Sequence, residues 1–355
     1  MDKTELKKLS EIVSKRLGRS IIFVSAEALK GGFQSDAFKL TAQNGERFFL
    51  KKIKRTGEAG FEISERHFFS YAVSHGMAKR SGLMPEPIGV IIARHDEISI
   101  LPDLDEHASL YHLQAFAGGL GESYWSLLEA KKSKKVLDEN DRKEIEAVTD
   151  LLVRIHSGSC PNFLAPVRNT LYNDSLQSIL AYPGYFFLFL SDFGFKHPLL
   201  PRFKHGEYIG LILNLVYHWE NHADRLRPLH GDFWGSNIFF KTDGSVTAVD
   251  FSRIPYGEPG IDVGYFVAQF LWFYHDTGNV YFKKLGELFV ESYAAKTGDK
   301  DIRKTLCLPL GLLALLYCNP RFHPDNNVAT EKSFFKAVLA SLRKGEFSWG
   351  KSHKK

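Results

Sequence analysis

The chain has 355 residues, 44% of them hydrophobic and 25% charged. That is too long for one small core, and the composition excludes a disordered or fibrous chain. Net charge is +5, part of it in the short runs Lys131-Lys132-Ser133-Lys134-Lys135 and Lys351-Ser352-His353-Lys354-Lys355; such runs read as solvated surface, and no basic face or module points to nucleic acid.

Leu6, Leu9, Ile12, Val13 and Leu17 recur at helical spacing behind Thr4, the expected N-cap, and stop at Gly18. Ile21-Ile22-Phe23-Val24 reads as a strand. Phe38-Lys39-Leu40-Thr41 and Arg47-Phe48-Phe49-Leu50-Lys51 flank Asn44-Gly45, a strong hairpin signal. A helix is expected over 61–76 and a strand pair over 87–93 and 97–101. After Pro102-Asp103 the character turns helical, with apolar faces over about 138–157, 208–223, 263–276, 280–296, 303–318 and 330–343. Within that part, Asn237 to Asp250 forms a short hairpin turning at Asp243-Gly244. The expected domains are therefore 1–103, a small β-rich unit, and 104–355, a larger helical one.

Three cysteines, Cys160, Cys307 and Cys318, are odd in number and lack metal-site spacing, as in a reducing compartment. The start has no apolar run of a signal peptide, and Leu306 to Cys318 is too short to span a bilayer. A cytoplasmic protein with no membrane partner is expected; the oligomeric state is not legible.

The most informative stretch is Leu229-His230-Gly231-Asp232-Phe233-Trp234-Gly235-Ser236-Asn237, followed by Val249-Asp250-Phe251. Phosphoryl transfer is chiefly positioning and charge: a carboxylate orients the acceptor hydroxyl, and two oxygen-bearing side chains hold Mg²⁺ against the phosphates. Asp232 is the candidate base, with Asn237 and Asp250 as candidate metal ligands. A solvated turn would account for one Asp, not for the set.

At these residues the chain resembles the aminoglycoside phosphotransferase and choline kinase family, small-molecule relatives of protein kinases. The resemblance runs from Gly31 to Asp262 and implies an α+β, two-lobed protein-kinase-like fold, with a small antiparallel-sheet N-lobe and a larger, mainly helical C-lobe. It implies ATP and Mg²⁺ as cofactors and a small-molecule hydroxyl acceptor. Lys30-Gly31-Gly32-Phe33-Gln34-Ser35 falls where the family places its nucleotide loop; the glycines let backbone N–H groups approach phosphates, and Gly31, Gly32 and Ser35 are the candidates there. Gln34 and Ser35 depart from the family's usual Gly-Gly-x-Ser-Asn. Lys51 is similar to the lysine that grips the α- and β-phosphates. Its carboxylate partner is Glu65 or, on the same segment, Glu62; Glu65 better matches the family's helix register. Leu101 and Asp103 resemble the adenine-facing hinge. Asp262 is expected either to N-cap the helix after it or to brace the catalytic loop, and His156 to be structural.

Two departures separate the chain from protein kinases: Gly231 stands where they carry an Arg, and Ser252 where Asp-Phe-Gly has its Gly. Ser191-Asp192-Phe193-Gly194 spells that motif but precedes the catalytic loop, so chain order excludes it. A protein kinase, a nucleotide-binding pseudokinase acting as an interaction module, and a nucleic-acid-associated protein are the alternatives. Trp219, Tyr256, Trp272, Tyr274 and Arg321 are candidates for the acceptor pocket.

Overall fold

The computed structural model describes residues 1–29, 35–53, 87–94, 97–99, 108–115, 120–158, 160, 164–181, 205–251, 255–319 and 325–352. The first helix, α1 (Lys3–Leu17), starts two residues earlier than Thr4 as N-cap would set it. Asp2 is its N-cap, accepting from the backbone N–H groups of Thr4 and Glu5, while Glu5 accepts in return from the N–H of Asp2. This reciprocal box satisfies donors that a helix start leaves open.

Six antiparallel strands follow: β1 (Phe23–Leu29), β2 (Ser35–Ala42), β3 (Arg47–Ile53), β4 (Pro87–Arg94), β5 (Glu97–Ser99) and β6 (Ala108–Ala115), in the spatial order β1-β2-β3-β6-β4-β5. The β2–β3 hairpin turns at Asn44-Gly45 as expected. Alternation along β3 sends Phe48 and Leu50 into a core with Leu9, Val13, Ile21, Phe23 and Leu40, and so puts Lys51 on the opposite face. β6 was not foreseen. It lies beyond residue 103, yet it is inserted between β3 and β4. Its mixed pattern, Ala-Ser-Leu-Tyr-His-Leu-Gln-Ala, gives little periodic signal.

By contacts the chain divides into two compact units, Met1–Leu120 with Phe251–Arg253, and Gly121–Asp250 with Ile254–Lys355. The second holds α2 (Tyr124–Ala130), α3 (Glu139–His156), α4 (Ala165–Ala181), α5 (His205–Trp219), α6 (Gly260–Thr277), α7 (Val280–Thr297), α8 (Ile302–Thr305), α9 (Leu310–Tyr317) and α10 (Val328–Lys344). The apolar run expected as one helix over 303–318 is two, α8 and α9, because Pro309 cannot continue a helix and instead caps α9. Three strands, β7 (Leu120–Ser123), β9 (Ile238–Lys241) and β10 (Val246–Ala248), form a small sheet, and β8 (Arg227–Pro228) pairs with β11 (Tyr256–Gly257).

The start of α6 is pinned by a charge cluster around the buried Glu258. Arg225 meets Glu258 at 2.7 Å and Asp299 at 2.7 Å. Tyr172 donates to Glu258 Oε2 at 2.8 Å, and the Gly260 N–H to Glu258 Oε1 at 3.0 Å. Glu258 is fully buried, and each of its oxygens has a donor, the condition under which a buried carboxylate is tolerated. No helix among the described residues is long and apolar enough to cross a membrane.

Candidate active site

The loop from Leu229 to Asn237 carries the site, and α6 is the surface on which it is laid. Asp262, Tyr265, Phe266 and Gln269 occupy i, i+3, i+4 and i+7 and so share one helix face. Successive loop residues meet that face. Asp262 Oδ2 accepts from the N–H of His230 at 2.7 Å and its Oδ1 from the N–H of Gly231 at 2.8 Å. Phe266 packs against Phe233 at 5.4 Å and Tyr265 against Trp234 at 5.7 Å between ring centroids. Gln269 Oε1 accepts from the N–H of Gly235 at 3.2 Å.

Asp262 thus does not cap α6, whose N-cap is Pro259; it faces the loop, the other role expected of it. Behind it, His156 Nε2 lies 3.1 Å from Asp262 Oδ2, and His156 Nδ1 lies 2.7 Å from the Tyr293 hydroxyl. The bracing role was foreseen; the link through His156 to Tyr293 was not, since those residues are 137 apart in sequence.

Within the loop, His230 is buried and uses both ring nitrogens. Nδ1 accepts from the Asp232 N–H at 3.2 Å, which leaves the proton on Nε2 to donate to the Val249 carbonyl at 2.8 Å. Burial pushes its pKa below the ordinary value, only partly offset by the charges of Asp262 and Asp232. A histidine committed in this way holds the loop rather than moving protons. Gly231 has φ +80°, a region costly for a residue with a Cβ. Backbone geometry therefore demands glycine where protein kinases carry Arg.

Asp232 and Asn237 are brought together. The Asn237 Nδ2 donates to the Asp232 carbonyl at 2.9 Å and lies 3.4 Å from Asp232 Oδ2. With its nitrogen so used, the amide presents its oxygen as the remaining donor atom. Asn237 stands where β9 begins, and its carbonyl accepts from the N–H of Val249 at 2.9 Å. The hairpin therefore puts Asp250 one residue past the Asn237–Val249 pair, at its open end. Asp250 has φ +65°, left-handed for a non-glycine residue, and such backbone strain collects at functional sites. An amide oxygen and a carboxylate are hard donors; they suit Mg²⁺, which keeps waters and phosphate oxygens for its other positions. Among the described residues no group of three or more His, Cys, Asp and Glu is gathered as a metal site.

Lys51 is in β3, half-buried, with Ala37 of β2 and His112 of β6 as its register partners. Ser35 opens β2 opposite Ile53. Gly31, Gly32, Glu62, Glu65, Leu101, Asp103, Ser252, Arg321 and the 61–76 helix lie outside the described residues. Of the aromatic acceptor candidates, Trp219, Tyr256 and Trp272 are buried. Trp272 is stacked on Tyr317, and Trp219 lies beneath the Arg225 guanidinium, 5.3 Å from ring to cation. Those three are interior residues and Tyr274 is half-buried. The half-buried aromatic next to Asp232 is instead Trp234, against Tyr265 and Tyr317. It stands two residues after Asp232 and was not among the sequence candidates.

Residues 25–304 match the profile described as APH, phosphotransferase enzyme family. No curated protein matches the chain. Among solved structures it is similar to an ethanolamine kinase of Plasmodium vivax, with TM-score 0.58, 13% identity and coverage of 91% of this chain and 84% of that one. It is similar to choline kinase LicA from Streptococcus pneumoniae at TM-score 0.52 and 13% identity, covering 97% and 100%. A thermostable mutant of aminoglycoside phosphotransferase APH(4)-Ia, in a ternary complex with ADP and hygromycin B, matches at TM-score 0.52 and 11% identity, covering 95% and 98%. At such identities the likeness is one of fold, and the fold is protein-kinase-like.

Proposed function

We propose, for a chain that belongs to the phosphotransferase enzyme family and is thereby a small-molecule kinase, that it moves the γ-phosphate of ATP to a hydroxyl of a small metabolite. The observation that carries this reading is the meeting of Asp232 and Asn237, with Asp250 one residue past the Asn237–Val249 pair of the β9–β10 hairpin. A nucleotide in the structure of a similarly folded aminoglycoside phosphotransferase supports it.

In this account Asp232 accepts the hydrogen bond of the acceptor hydroxyl and directs its oxygen toward the phosphorus, taking the proton as the bond forms. Asn237 Oδ1 and the Asp250 carboxylate hold Mg²⁺. Bound there, the ion would offset the phosphate charge and help align the transferring group. Lys51 neutralises phosphate oxygens from β3, and Glu65 or Glu62 orients it. Gly31, Gly32 and Ser35 offer backbone and hydroxyl donors to the phosphates. Leu101 and Asp103, by the family resemblance, face the adenine. Trp234 supplies an aromatic wall for the acceptor, next to the base.

Thermal unfolding with and without MgATP tests the reading. Ligand at about 100 times Kd raises native-state stability by about 2.7 kcal/mol, so wild type gains melting temperature only when Mg²⁺ and nucleotide are both present. Asp250→Ala loses that gain. A folded wild type with no Mg²⁺-dependent gain contradicts the proposal.

A further inference from the structure

Gln269 is fully buried on α6, and only half of its amide is satisfied. Oε1 accepts from the Gly235 N–H at 3.2 Å, whereas Nε2 is buried with no hydrogen-bond partner among the described residues. The amide cannot be turned round, because its nitrogen would then face the Gly235 donor. Leaving an N–H₂ group dry and unpaired is costly, and an apolar side chain of the same length avoids it. The contact that the oxygen makes accounts for a polar residue at this point.

That contact is at the start of the turn that ends on a candidate metal ligand. Gly235–Asn237 is a single 3-10 turn. Its Asn237 N–H donates to the Trp234 carbonyl at 2.9 Å, and Ile238 then enters β9. The fit at Gly235 is close: a Cβ there would collide with Gln269 Oε1 and come within 3.0 Å of the Trp125 backbone nitrogen. The turn is therefore clamped between α6 and the first turn of α2. Asp262, two helical turns before Gln269, holds the other end of the loop at His230 and Gly231.

We infer that Gln269 is a positioning residue of the metal site: by holding the Gly235 N–H it fixes the Gly235–Asn237 turn and so the direction of the Asn237 amide oxygen. The inference rests on the reading of Asn237 as a Mg²⁺ ligand. It does not make Gln269 a catalytic residue, since the side chain touches neither Asp232 nor Asn237 in the hydrogen-bond network.

Two substitutions separate positioning from space-filling. Gln269→Met keeps the length, removes the unpaired N–H₂ and leaves the Gly235 N–H without its acceptor. Gln269→Glu keeps an oxygen for Gly235 but buries a carboxylate. Melting temperature therefore ranks Met above Glu. The Mg²⁺ concentration giving half of the nucleotide-induced thermal shift ranks them the other way: about fivefold higher than wild type for Met, the scale of one net hydrogen bond, and nearer to wild type for Glu. Amide exchange of the 233–239 segment in nucleotide-free protein rises in Met and much less in Glu. If Met leaves exchange and Mg²⁺ requirement unchanged, or if function follows the same order as stability, Gln269 merely fills space and the inference is overturned. A wild type without any Mg²⁺-dependent shift overturns the kinase reading and the link to the metal; exchange at 233–239 still decides whether Gln269 fixes the turn.

Discussion

Asp232 and Asp250 are both carboxylates of the same motif, yet the proposed function gives them different work. Asp232 is buried at the loop with Asn237 on its carbonyl, and Asp250 ends the hairpin in a left-handed conformation. Asp232→Asn should lower kcat by about 10²–10⁴-fold, the usual share of a general base, with nucleotide affinity nearly intact. Asp250→Asn should instead weaken Mg²⁺-dependent nucleotide binding. Titration calorimetry beside a transfer assay checks the split; like behaviour of the two variants contradicts it. His230 gives a pH dependence. Its folded pKa is depressed by burial from an ordinary value of 6.5, so its contribution to stability is complete above pH 6.5. As pH falls below 6.5 toward the depressed folded value, the unfolded chain binds a proton that the folded chain resists, and that stability is lost. Melting temperature measured from pH 8 to 5 should therefore fall more steeply below about 6.5 in wild type than in His230→Asn.

At the scale of elements, α6 determines the loop. Of its three buried polar residues, Asp262, Gln269 and His275, the first two stand seven apart on the face that meets the loop. Asp262 was singled out in the sequence as a cap or brace, whereas Gln269, among apolar neighbours, was not. Asp262→Ala strips the acceptor from two buried backbone N–H groups and should cost about 3 kcal/mol, seen as a lower denaturation midpoint together with lost transfer. The mounting of α6 is equally exposed to change. Arg225→Met leaves Glu258 buried beside Asp299 without its cation, and breaking such a pair costs about 3–5 kcal/mol. Unfolding of the variant at neutral pH measures it; a loss below 1 kcal/mol would place the support of α6 elsewhere. Elements with strong local signals were legible: the hairpin at Asn44-Gly45, the helix ending at His156 and the hairpin at Asp243-Gly244. The ones missed, β6, α2 and α4, owe their form to neighbours. β6 is held by ladders on both sides, and the buried face of α4 mixes polar with apolar residues, Tyr172, Ser175, Leu176 and Ile179.

Over the whole molecule, family and fold were readable because a few chemically constrained residues recur in one order along the chain. The order needs no knowledge of packing, and His230, Asp232, Asn237 and Asp250 carry it. What holds those residues in place was mostly not readable. Tyr293, His156, Asp262 and Gln269 come from three helices, and only the folded chain brings them under one loop. An aromatic residue in a helix looks the same in sequence whether it faces a cavity or a core, so burial of the acceptor candidates was not legible either. Trp272 and Trp219 prove to be interior, while Trp234 stands beside the base.

The measurement that tests the central claim most directly is transfer of label from [γ-³²P]ATP to a pool of deproteinised small metabolites, with wild type and Asp232→Asn compared at saturating MgATP. The account predicts labelled small molecules with wild type, none above background with Asp232→Asn, and equal MgATP binding by both proteins. Equal labelling by the two proteins, label appearing on protein alone, or no transfer by a wild type that binds MgATP would contradict it.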